Sequence, residues 1–325
     1  LGPEFVRDNI RPYIERHISK VLALLKQAQV PIFLKERSYN NLYESDRLLL
    51  HTEDAETIFN FFRTDTGIRY YLSLWHNGEE KKLTEKYAVV IGNEPAVLLL
   101  ENDIFTFQDI NGKKLDPFIR KEYIHVPKSL EEKYFNTFIK NAVQHYRVSA
   151  EGFVIEEHHP TPAVRLLLTK DIEGIPALLL QWDYPEHRIL LNYNKNSLVK
   201  LHKEDGYRFC KYFRNTGYEQ KITASLQAEG LQVFFENYLK LSRTNALYDV
   251  LEWLGRHKAA LDEMGVGVVQ EEDEKQYHLG EVNLSAHVKK TKTDWLDIYA
   301  QVTIGQYSFP FVRLRKHILR GIREF

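Results

Sequence analysis

Alternating apolar and polar residues along the middle of the chain predict a β-rich architecture. Between about Gly67 and Tyr212, short runs of aliphatic, aromatic and β-branched residues recur with the period of two that is typical of half-buried strands. Turn signals separate these runs, and one of them, Asn77-Gly78, strongly favours a tight hairpin. We therefore expect a meander of antiparallel hairpins here.

Helical periodicity lies on either side of this β-rich part. Residues 12–29 carry an apolar stripe at intervals of three and four positions, which predicts an amphipathic helix. Acidic residues near a helix start favour a further helix over 52–62. Capping-box signatures, Ser129 with Glu132 and Thr216 with Glu219, predict two more. Another helical stretch runs from Leu247 and ends at Gly265.

The last thirty or so residues combine a strand with a basic amphipathic helix. Apolar residues at every second position over 296–304 predict a half-buried strand, and Gly305 can turn the chain. Pro310 fits the first turn of a helix. The predicted apolar face of that helix consists of Phe311, Leu314, Ile318 and Ile322, which we expect to pack on the strand.

These patterns together predict an α+β fold in two units, as the length of 325 residues also favours. The first unit, 6–214, is expected to be rich in antiparallel β-hairpins with flanking helices. The second, 215–325, is expected to be a smaller mixed α/β unit. Residues 1–5 lack an initiator methionine and resemble the remnant of a protease site and cloning junction.

Composition limits the classes of partner. The 44 basic and 45 acidic side chains nearly cancel, which argues against nucleic-acid binding over the whole surface. The single cysteine, Cys210, allows no disulfide within the chain, so we expect a reducing, cytoplasmic compartment. No apolar run reaches transmembrane length, and no membrane partner is expected. The sequence sets no oligomeric state.

The C-terminal pattern resembles a known family. Asp-Trp-Leu-Asp-Ile at 294–298, Phe-Pro-Phe at 309–311 and Leu-Arg-Lys-His-Ile-Leu-Arg-Gly at 314–321 resemble the segment before the motor in bacterial SWI/SNF-family DNA-dependent ATPases. The likeness is clearest over about 215–325. It implies that this region is a helicase-associated domain, and that the chain is a fragment of a bacterial protein. It also implies that a two-lobed superfamily-two motor, using ATP and Mg²⁺, follows Phe325.

Motifs for catalysis are missing from the sequence. No phosphate-binding loop of the form Gly-x4-Gly-Lys-Ser/Thr occurs, and no Asp-Glu-x-His-type box. Gly265-Val266-Gly267 leads from a helix into a strand, the reverse of the order in a phosphate loop. We expect neither enzymatic activity nor a bound cofactor in this chain. An unrecognised nuclease or hydrolase activity would be an alternative, but no motif in the sequence supports it.

The densest run of metal-ligand residue types lies at 156–159. Alternation would place Glu156 and His158 on one side of a strand, and Glu157 and His159 on the other. Two ligands on a face do not make a site, and no partner run is evident, so we expect no metal. Some members of that family carry a cysteine-rich zinc module of SWIM type, which a single cysteine cannot build. Cys210 is expected to be a small core residue.

Charge distribution supplies the candidate interaction site. Basic residues outnumber acidic ones from Lys289 onward, and the resemblance favours contact with the protein's own C-terminal motor or with double-stranded DNA. The predicted contact residues are Arg313, Lys316, His317, Arg320, Lys289, Lys290 and Lys292. The sequence thus predicts a non-catalytic accessory region of a DNA translocase. The alternatives are an independent nucleic-acid- or protein-binding module and, for the basic residues, a merely solvated helix.

Overall fold

A computed structural model describes residues 2–34, 41–84, 87–204, 206–235, 237–242, 246–270, 277–279, 282–290, 296–304 and 307–321. The chain forms two compact units. Unit 1 comprises Leu1–His159 and Asn196–Phe213, and unit 2 comprises Pro160–Lys195 and Arg214–Phe325. Both contain helices and sheets, so the predicted α+β class is confirmed.

The described residues contain the following strands in chain order: β1 Ile32–Phe33, β2 Arg47–Leu50, β3 Glu56–Thr64, β4 Gly67–His76, β5 Glu79–Lys82, β6 Ala88–Asn93, β7 Ala96–Leu100, β8 Asp103–Phe107, β9 Ile124–Pro127, β10 Arg147–Glu151, β11 Val154–His158, β12 Ala163–Lys170, β13 Pro176–Tyr184, β14 His187–Leu190, β15 Ser197–His202, β16 Arg208–Phe213, β17 Leu231–Phe234, β18 Tyr238–Leu241, β19 Val266–Gln270, β20 Val282–Lys290, β21 Leu296–Ile304 and β22 Tyr307–Pro310.

The helical segments include α1 Arg11–Ala28, α2 Asp116–Arg120, α3 Glu131–Tyr134, α4 Lys140–His145, α5 Thr216–Ala228, α6 Leu247–Arg256, α7 Lys258–Glu263 and α8 Arg315–Leu319, with a π-helical stretch at Phe135–Ile139 and 3₁₀ turns at Lys128–Leu130 and Phe311–Leu314. The predicted helices over 12–29 and 129–146 are therefore present, and 247–265 holds α6 and α7. None of the described helices combines the length and apolarity needed to cross a bilayer.

Unit 1 is built from three sheets around one main core. Their strand orders are β1-β2-β8-β7-β6, β10-β3-β4-β5 with β9 on β4, and β11-β16-β15. Aromatic side chains from all three sheets and from the helical stretch meet in this core, among them Phe61, Phe105, Phe135 and Phe209, each with at most 1% of its surface exposed.

The strand period explains why α1 packs on the first sheet. Leu98 and Leu100 of β7 point into the main core, whereas Val97 and Leu99 point to the other face. There they pack with Leu22 of α1 in a smaller apolar cluster. Burying both faces of β7 makes it a continuous apolar run, as its sequence shows.

Unit 2 contains a mixed sheet with strand order β17-β18-β13-β12-β19, and β14 also pairs with β13. Its long hairpin β12–β13 turns at Gly174, whose φ of +78° favours glycine. A separate three-stranded antiparallel sheet, β20-β21-β22, leads into α8.

The predicted helix over 52–62 is wrong, because these residues form most of β3. Thr57 and Ile58 are β-branched, and the aromatic residues that follow them favour a pleated, buried surface over a helix. β3 pairs with β4 on one side and with β10 on the other. The backbone N–H and hydroxyl of Thr57 also donate to one oxygen of Asp109, at 2.9 and 2.6 Å.

The predicted antiparallel hairpins are present, for example β4–β5, β12–β13 and β15–β16, but the sheets also contain parallel pairs that the sequence did not indicate. Parallel pairs join β2 with β8, β3 with β10, β11 with β16, and β12 with β19. Parallel partners are far apart in sequence, so turn signals between neighbouring strands do not reveal them.

Both capping-box predictions are likewise corrected. Glu132 accepts a bond of 2.7 Å from Lys203 Nζ. The N-cap of α5 is Asn215, whose side chain accepts from the Tyr218 N–H at 3.0 Å. Glu219 instead binds a buried arginine, Arg214.

The two units divide the chain differently from the predicted boundary near residue 214. One change of unit does fall between Phe213 and Arg214, but Pro160–Lys195 also belongs to unit 2. The reason is the parallel pairing of β12 with β19, which takes the hairpin β12–β13 out of the first unit.

Candidate functional site

The sheet β20-β21-β22 presents an apolar face to solvent. Antiparallel register places Leu284 opposite Val302, Val288 opposite Ile298, and Tyr307 opposite Ile304, so these side chains share one face. Val302 is buried, but most of its neighbours on this face are not. The exposed members, 61% to 68% of whose surface is accessible, are Val282, Leu284, Val288, Ile298 and Tyr307.

The opposite face of the same sheet carries polar side chains that bond to one another. Gln301 Nε2 donates to Ser308 Oγ at 2.6 Å, and the hydroxyls of Thr303 and Ser308 lie 3.1 Å apart. Polar groups thus bond to one another on one face, whereas five side chains of the apolar face are exposed. We call the face formed by Val282, Leu284, Val288, Ile298 and Tyr307 the apolar sheet face.

The predicted basic residues lie just beyond this sheet. Arg313 is in the 3₁₀ turn, Lys316 is in α8, and Arg320 follows α8; all three are exposed. His317 is half-buried. The side chains of Lys289 and Lys290 in β20, and all of Lys292, lie outside the described residues.

The predicted long C-terminal helix is wrong in extent. The chain stays extended through Pro310, and α8 has 5 residues. Such a short helix cannot align an apolar stripe over three turns, and Phe311 and Ile318 remain 39% and 55% exposed. Leu314 is half-buried, and Ile322 lies outside the described residues.

A groove runs between the sheet and this short helical segment. It encloses about 520 Å³ and is lined by Ile298, Phe311 and Val312, with His287 and Arg315 among its polar residues. An apolar floor with a cationic side chain beside it fits a protein segment that offers an apolar anchor and an acidic group.

Unit 1 contains a second groove, in which aromatic and basic side chains lie together. It encloses about 380 Å³. The rings of Phe62 and Tyr71 stack with centroids 5.8 Å apart, the Lys82 ammonium lies 5.6 Å from the Tyr71 centroid, and Arg69 lies 5.0 Å from that of Tyr123. Tyr123 is exposed, and Phe62 and Tyr71 are half-buried. Accessible rings beside cations are the features that a base-stacking surface requires.

A histidine–carboxylate pair was not foreseen from the sequence. His51 Nε2 lies 2.9 Å from Asp103 Oδ1, and Lys81 Nζ lies 3.5 Å from the other oxygen. The His51 ring contacts those of Phe105 and His76, at centroid distances of 4.7 and 4.3 Å, and the latter two rings also contact each other, at 5.3 Å. Burial, followed by the neighbouring His51, lowers the pKa of His76. Because His51 follows β2 and Asp103 opens β8, the pair fixes the parallel register of these strands.

The ligand-like run at 156–159 has the alternation that the sequence predicted, but the conclusion that it lacks a partner is wrong. In β11, Glu156 lies opposite Cys210 of the parallel strand β16. Donor atoms of Glu156, His158 and Cys210 all lie within 4.8 Å of one another. Sequence spacing missed this group because a long stretch of chain separates its members.

The surfaces of the described residues therefore offer an apolar sheet face with basic residues beyond it, an aromatic–basic groove and a three-residue cluster of metal-ligand types. Comparisons with protein-family models, with curated proteins and with solved structures find no match to this chain.

Proposed function

We propose that this chain is a non-catalytic accessory region of a bacterial SWI/SNF-like, ATP-dependent DNA translocase, in which it positions or restrains the motor or contacts DNA. The observation that carries the proposal is the apolar sheet face beside exposed basic residues of the C-terminal segment. The family resemblance of the same segment gives this surface its expected partners.

The apolar sheet face supports a protein partner. Five exposed, largely apolar side chains lie on one side of this sheet, and exposed apolar patches on soluble proteins mark interaction sites. The motor is the preferred occupant, because the resemblance places it directly after this segment. Covering such a face contributes roughly 25 cal/mol for each Å² of apolar surface removed from water.

The basic residues support contact with DNA phosphates. Arg313, Lys316 and Arg320 are exposed, and arginine and lysine in such positions bind the backbone without reading its sequence. Each phosphate contact releases counterions, which makes the affinity depend on salt.

The test of the basic residues is a triple Arg313/Lys316/Arg320→Ala variant. We expect it to fold normally, to bind a fluorescein-labelled duplex more weakly, and to show a shallower salt dependence, by about 0.9 in log–log slope per lost contact. In the complete translocase, it should weaken the stimulation of ATP turnover by DNA.

The matched control is Arg120/Lys121/Lys133→Ala, which removes three exposed charges from unit 1. We expect it to leave DNA affinity at the wild-type level. A folded C-terminal triple variant with unchanged DNA binding and unchanged turnover would remove the basic residues from the proposal.

The apolar sheet face needs a separate variant. Leu284→Ser with Ile298→Ser changes two exposed positions, so the stability of the isolated chain should change little, about ±0.5 kcal/mol per site. In the complete translocase, we expect altered DNA-stimulated ATP turnover with unchanged DNA affinity. Unchanged turnover in this variant would contradict docking of the motor on this face.

A second candidate function, an independent nucleic-acid-binding module, is favoured by the aromatic–basic groove of unit 1. Tyr71→Ala should then weaken binding of single-stranded DNA by roughly 1–3 kcal/mol. The C-terminal triple variant would bind the same strand normally. Normal binding by Tyr71→Ala would contradict this alternative.

A further inference from the structure

The cluster of Glu156, His158 and Cys210 joins two strands that pair in parallel. In the register of β11 and β16, Glu156 lies opposite Cys210 and His158 lies opposite Tyr212, so the three candidate ligands share one face of the sheet. The cluster lies within unit 1, in a part of the chain that the proposed function does not use.

The separations of the donor atoms are slightly longer than those around a tetrahedral ion. Glu156 Oε2 lies 3.6 Å from Cys210 Sγ and 3.7 Å from His158 Nε2, and all three atoms lie within 4.8 Å of one another. Zinc bonds of about 2.0 Å to oxygen and nitrogen and about 2.3 Å to sulfur place tetrahedral donors roughly 3.3–3.5 Å apart. Small side-chain movements would therefore close the three donors around one ion.

Neighbouring side chains hold the ligands in place. The His158 ring stacks on Tyr212, with centroids 5.2 Å apart, which restricts the imidazole. Arg208 Nη1 lies 3.8 Å from Glu156 Oε1, the oxygen that the cluster does not use. A carboxylate that is oriented through its second oxygen in this way is typical of metal ligands.

The chemistry of the donor set selects the ion. Thiolate, imidazole and carboxylate together favour Zn²⁺ over the hard ions Mg²⁺ and Ca²⁺, which prefer oxygen ligands. Cys210 is buried, whereas the side chains of Glu156 and His158 are 39% and 45% exposed, so solvent can reach the remaining coordination position.

Two cations share this face and oppose a divalent ion to some degree. They are Arg208 and Lys200, the latter opposite Cys210 on β15. Burial raises the pKa of the Cys210 thiol, Tyr212 lowers it through a hydrogen bond, and Glu156 raises it. The thiol proton must leave for the sulfur to bind, so binding strengthens as pH rises.

We propose that Glu156, His158 and Cys210 bind one Zn²⁺ ion through the carboxylate, imidazole and thiolate groups, with solvent in the open position. Binding exchanges the thiol proton of Cys210 for the metal–sulfur bond. Because the ion would join β11 to β16, it should also stabilise unit 1.

The test is titration of the purified, metal-free chain with Co²⁺, a spectroscopic substitute for zinc. We expect one ion per chain and a sulfur-to-cobalt charge-transfer band, which Zn²⁺ should abolish by displacement. Cys210 is the sole cysteine of the sequence, so that band reports on it alone. Zn²⁺ should also raise the melting temperature.

Variants of the ligands and of their neighbours distinguish a specific metal site from non-specific binding of metal to the protein surface. His158→Ala and Glu156→Gln change part-exposed positions, so the fold should survive, and each should weaken Co²⁺ binding at least about tenfold. The controls His159→Ala and Glu157→Gln alter adjacent residues outside the cluster and should bind normally. Cys210→Ser should lose the charge-transfer band.

Three results would overturn the proposal: no bound ion, cobalt bound without the sulfur band, or equal affinity in His158→Ala and His159→Ala. If Cys210→Ser does not fold, the comparison of these two histidine variants still decides the outcome.

Discussion

A buried ion pair in unit 2 makes the stability of the folded chain depend on pH. Lys240 Nζ donates to Asp171 Oδ2, and both side chains are almost completely buried. The other carboxylate oxygen accepts the backbone N–H groups of Glu173 and Ile175, at 2.8 and 2.9 Å. The hydrogen bond from Lys240, followed by these N–H groups, lowers the pKa of Asp171 even though burial opposes this.

The sign of the pH effect follows from the lowered pKa. The unfolded chain takes up the Asp171 proton at a higher pH than the folded chain does, so this contribution to stability is present at neutral pH and is lost as pH falls through the folded pKa. We expect Asp171→Asn to be less stable at neutral pH, with a difference from wild type that narrows as the pH falls below the usual pKa of aspartate. Urea unfolding of both proteins from neutral to acidic pH measures this difference.

The control for this prediction is Asp262→Asn, which changes an exposed carboxylate and should leave stability within about ±0.5 kcal/mol. A constant difference between Asp171→Asn and wild type across the pH range would show that the pair does not titrate as expected.

A second buried network centres on Glu219. Arg214 Nη2 lies 2.5 Å from Glu219 Oε2, and Tyr184 Oη donates to Oε1 at 2.6 Å. Burial and the bond to Glu219 raise the pKa of Tyr184. Glu219→Ala leaves the buried arginine without its carboxylate, which typically costs about 3–5 kcal/mol.

Tyr184→Phe is the milder comparison, because it keeps the ring and both charges while removing the bond to Glu219 and the bond that the hydroxyl accepts from the Asn215 N–H at 2.9 Å. We expect a cost of about 1–3 kcal/mol. Chemical denaturation of both single variants and of the double variant measures their coupling. Additive effects would show that the three side chains do not act as one network.

Among the secondary structure elements, β3 shows that neighbouring residues of a strand contribute differently to stability, because their side chains lie on opposite faces. Phe61 is 1% exposed and lies among the rings of Tyr70, Phe138 and Phe153. Phe62, on the other face, is half-buried and lines the aromatic–basic groove. We expect Phe61→Ala to cost about 3–5 kcal/mol and Phe62→Ala clearly less.

The urea midpoints of the two variants make this comparison directly. Equal costs would contradict the strand assignment of 56–64, because a strand places consecutive residues on opposite faces.

Elements whose signal is local could be predicted from the sequence, and elements set by distant partners could not. The apolar period of 12–29 suffices to predict α1, a continuous apolar run predicts β7, and alternation predicts β21. By contrast, the sequence around Glu219 predicts a capping box, whereas in the fold its carboxylate binds Arg214 and Tyr184.

Dependence on distant parts of the chain also limits how much of the candidate sites can be predicted from the sequence. The basic character of Arg313, Lys316 and Arg320 can be read from composition along the chain. The apolar sheet face depends on register between three strands, and the cluster at Glu156 depends on a parallel pairing with β16. No short-range pattern encodes either arrangement.

For the whole molecule, the division into units predicts how the chain tolerates truncation. Residues 1–213 contain all of unit 1, but they also carry the hairpin β12–β13 without its partners β18 and β19. Unpaired strand edges promote association, so this truncated chain should aggregate or form oligomers. Size-exclusion chromatography with light scattering measures the outcome.

The control for truncation replaces Pro160–Lys195 with a short flexible linker in the same truncated chain. We expect this version to be monomeric and cooperatively folded. A monomeric 1–213 chain that still contains the hairpin would show that β12 and β13 do not need unit 2.

The second prediction for the whole molecule concerns ATP. Because the sequence carries no phosphate-binding loop, the isolated chain should release no phosphate from ATP, with or without DNA. Turnover in purified material that a point substitution within this chain abolishes would overturn the accessory role.

The chain leaves unit 1 after His159 and returns to it at Asn196, and this affects how the protein folds during synthesis. Unit 1 is complete once β16 has left the ribosome, whereas the hairpin β12–β13 has by then been exposed without β18 or β19, which are made later. Domains fold as units during translation, so we expect unit 1 to fold while the hairpin β12–β13 is still without its partner strands. The nascent chain is then most vulnerable to misassembly, and most in need of a chaperone, between synthesis of β13 and synthesis of β19.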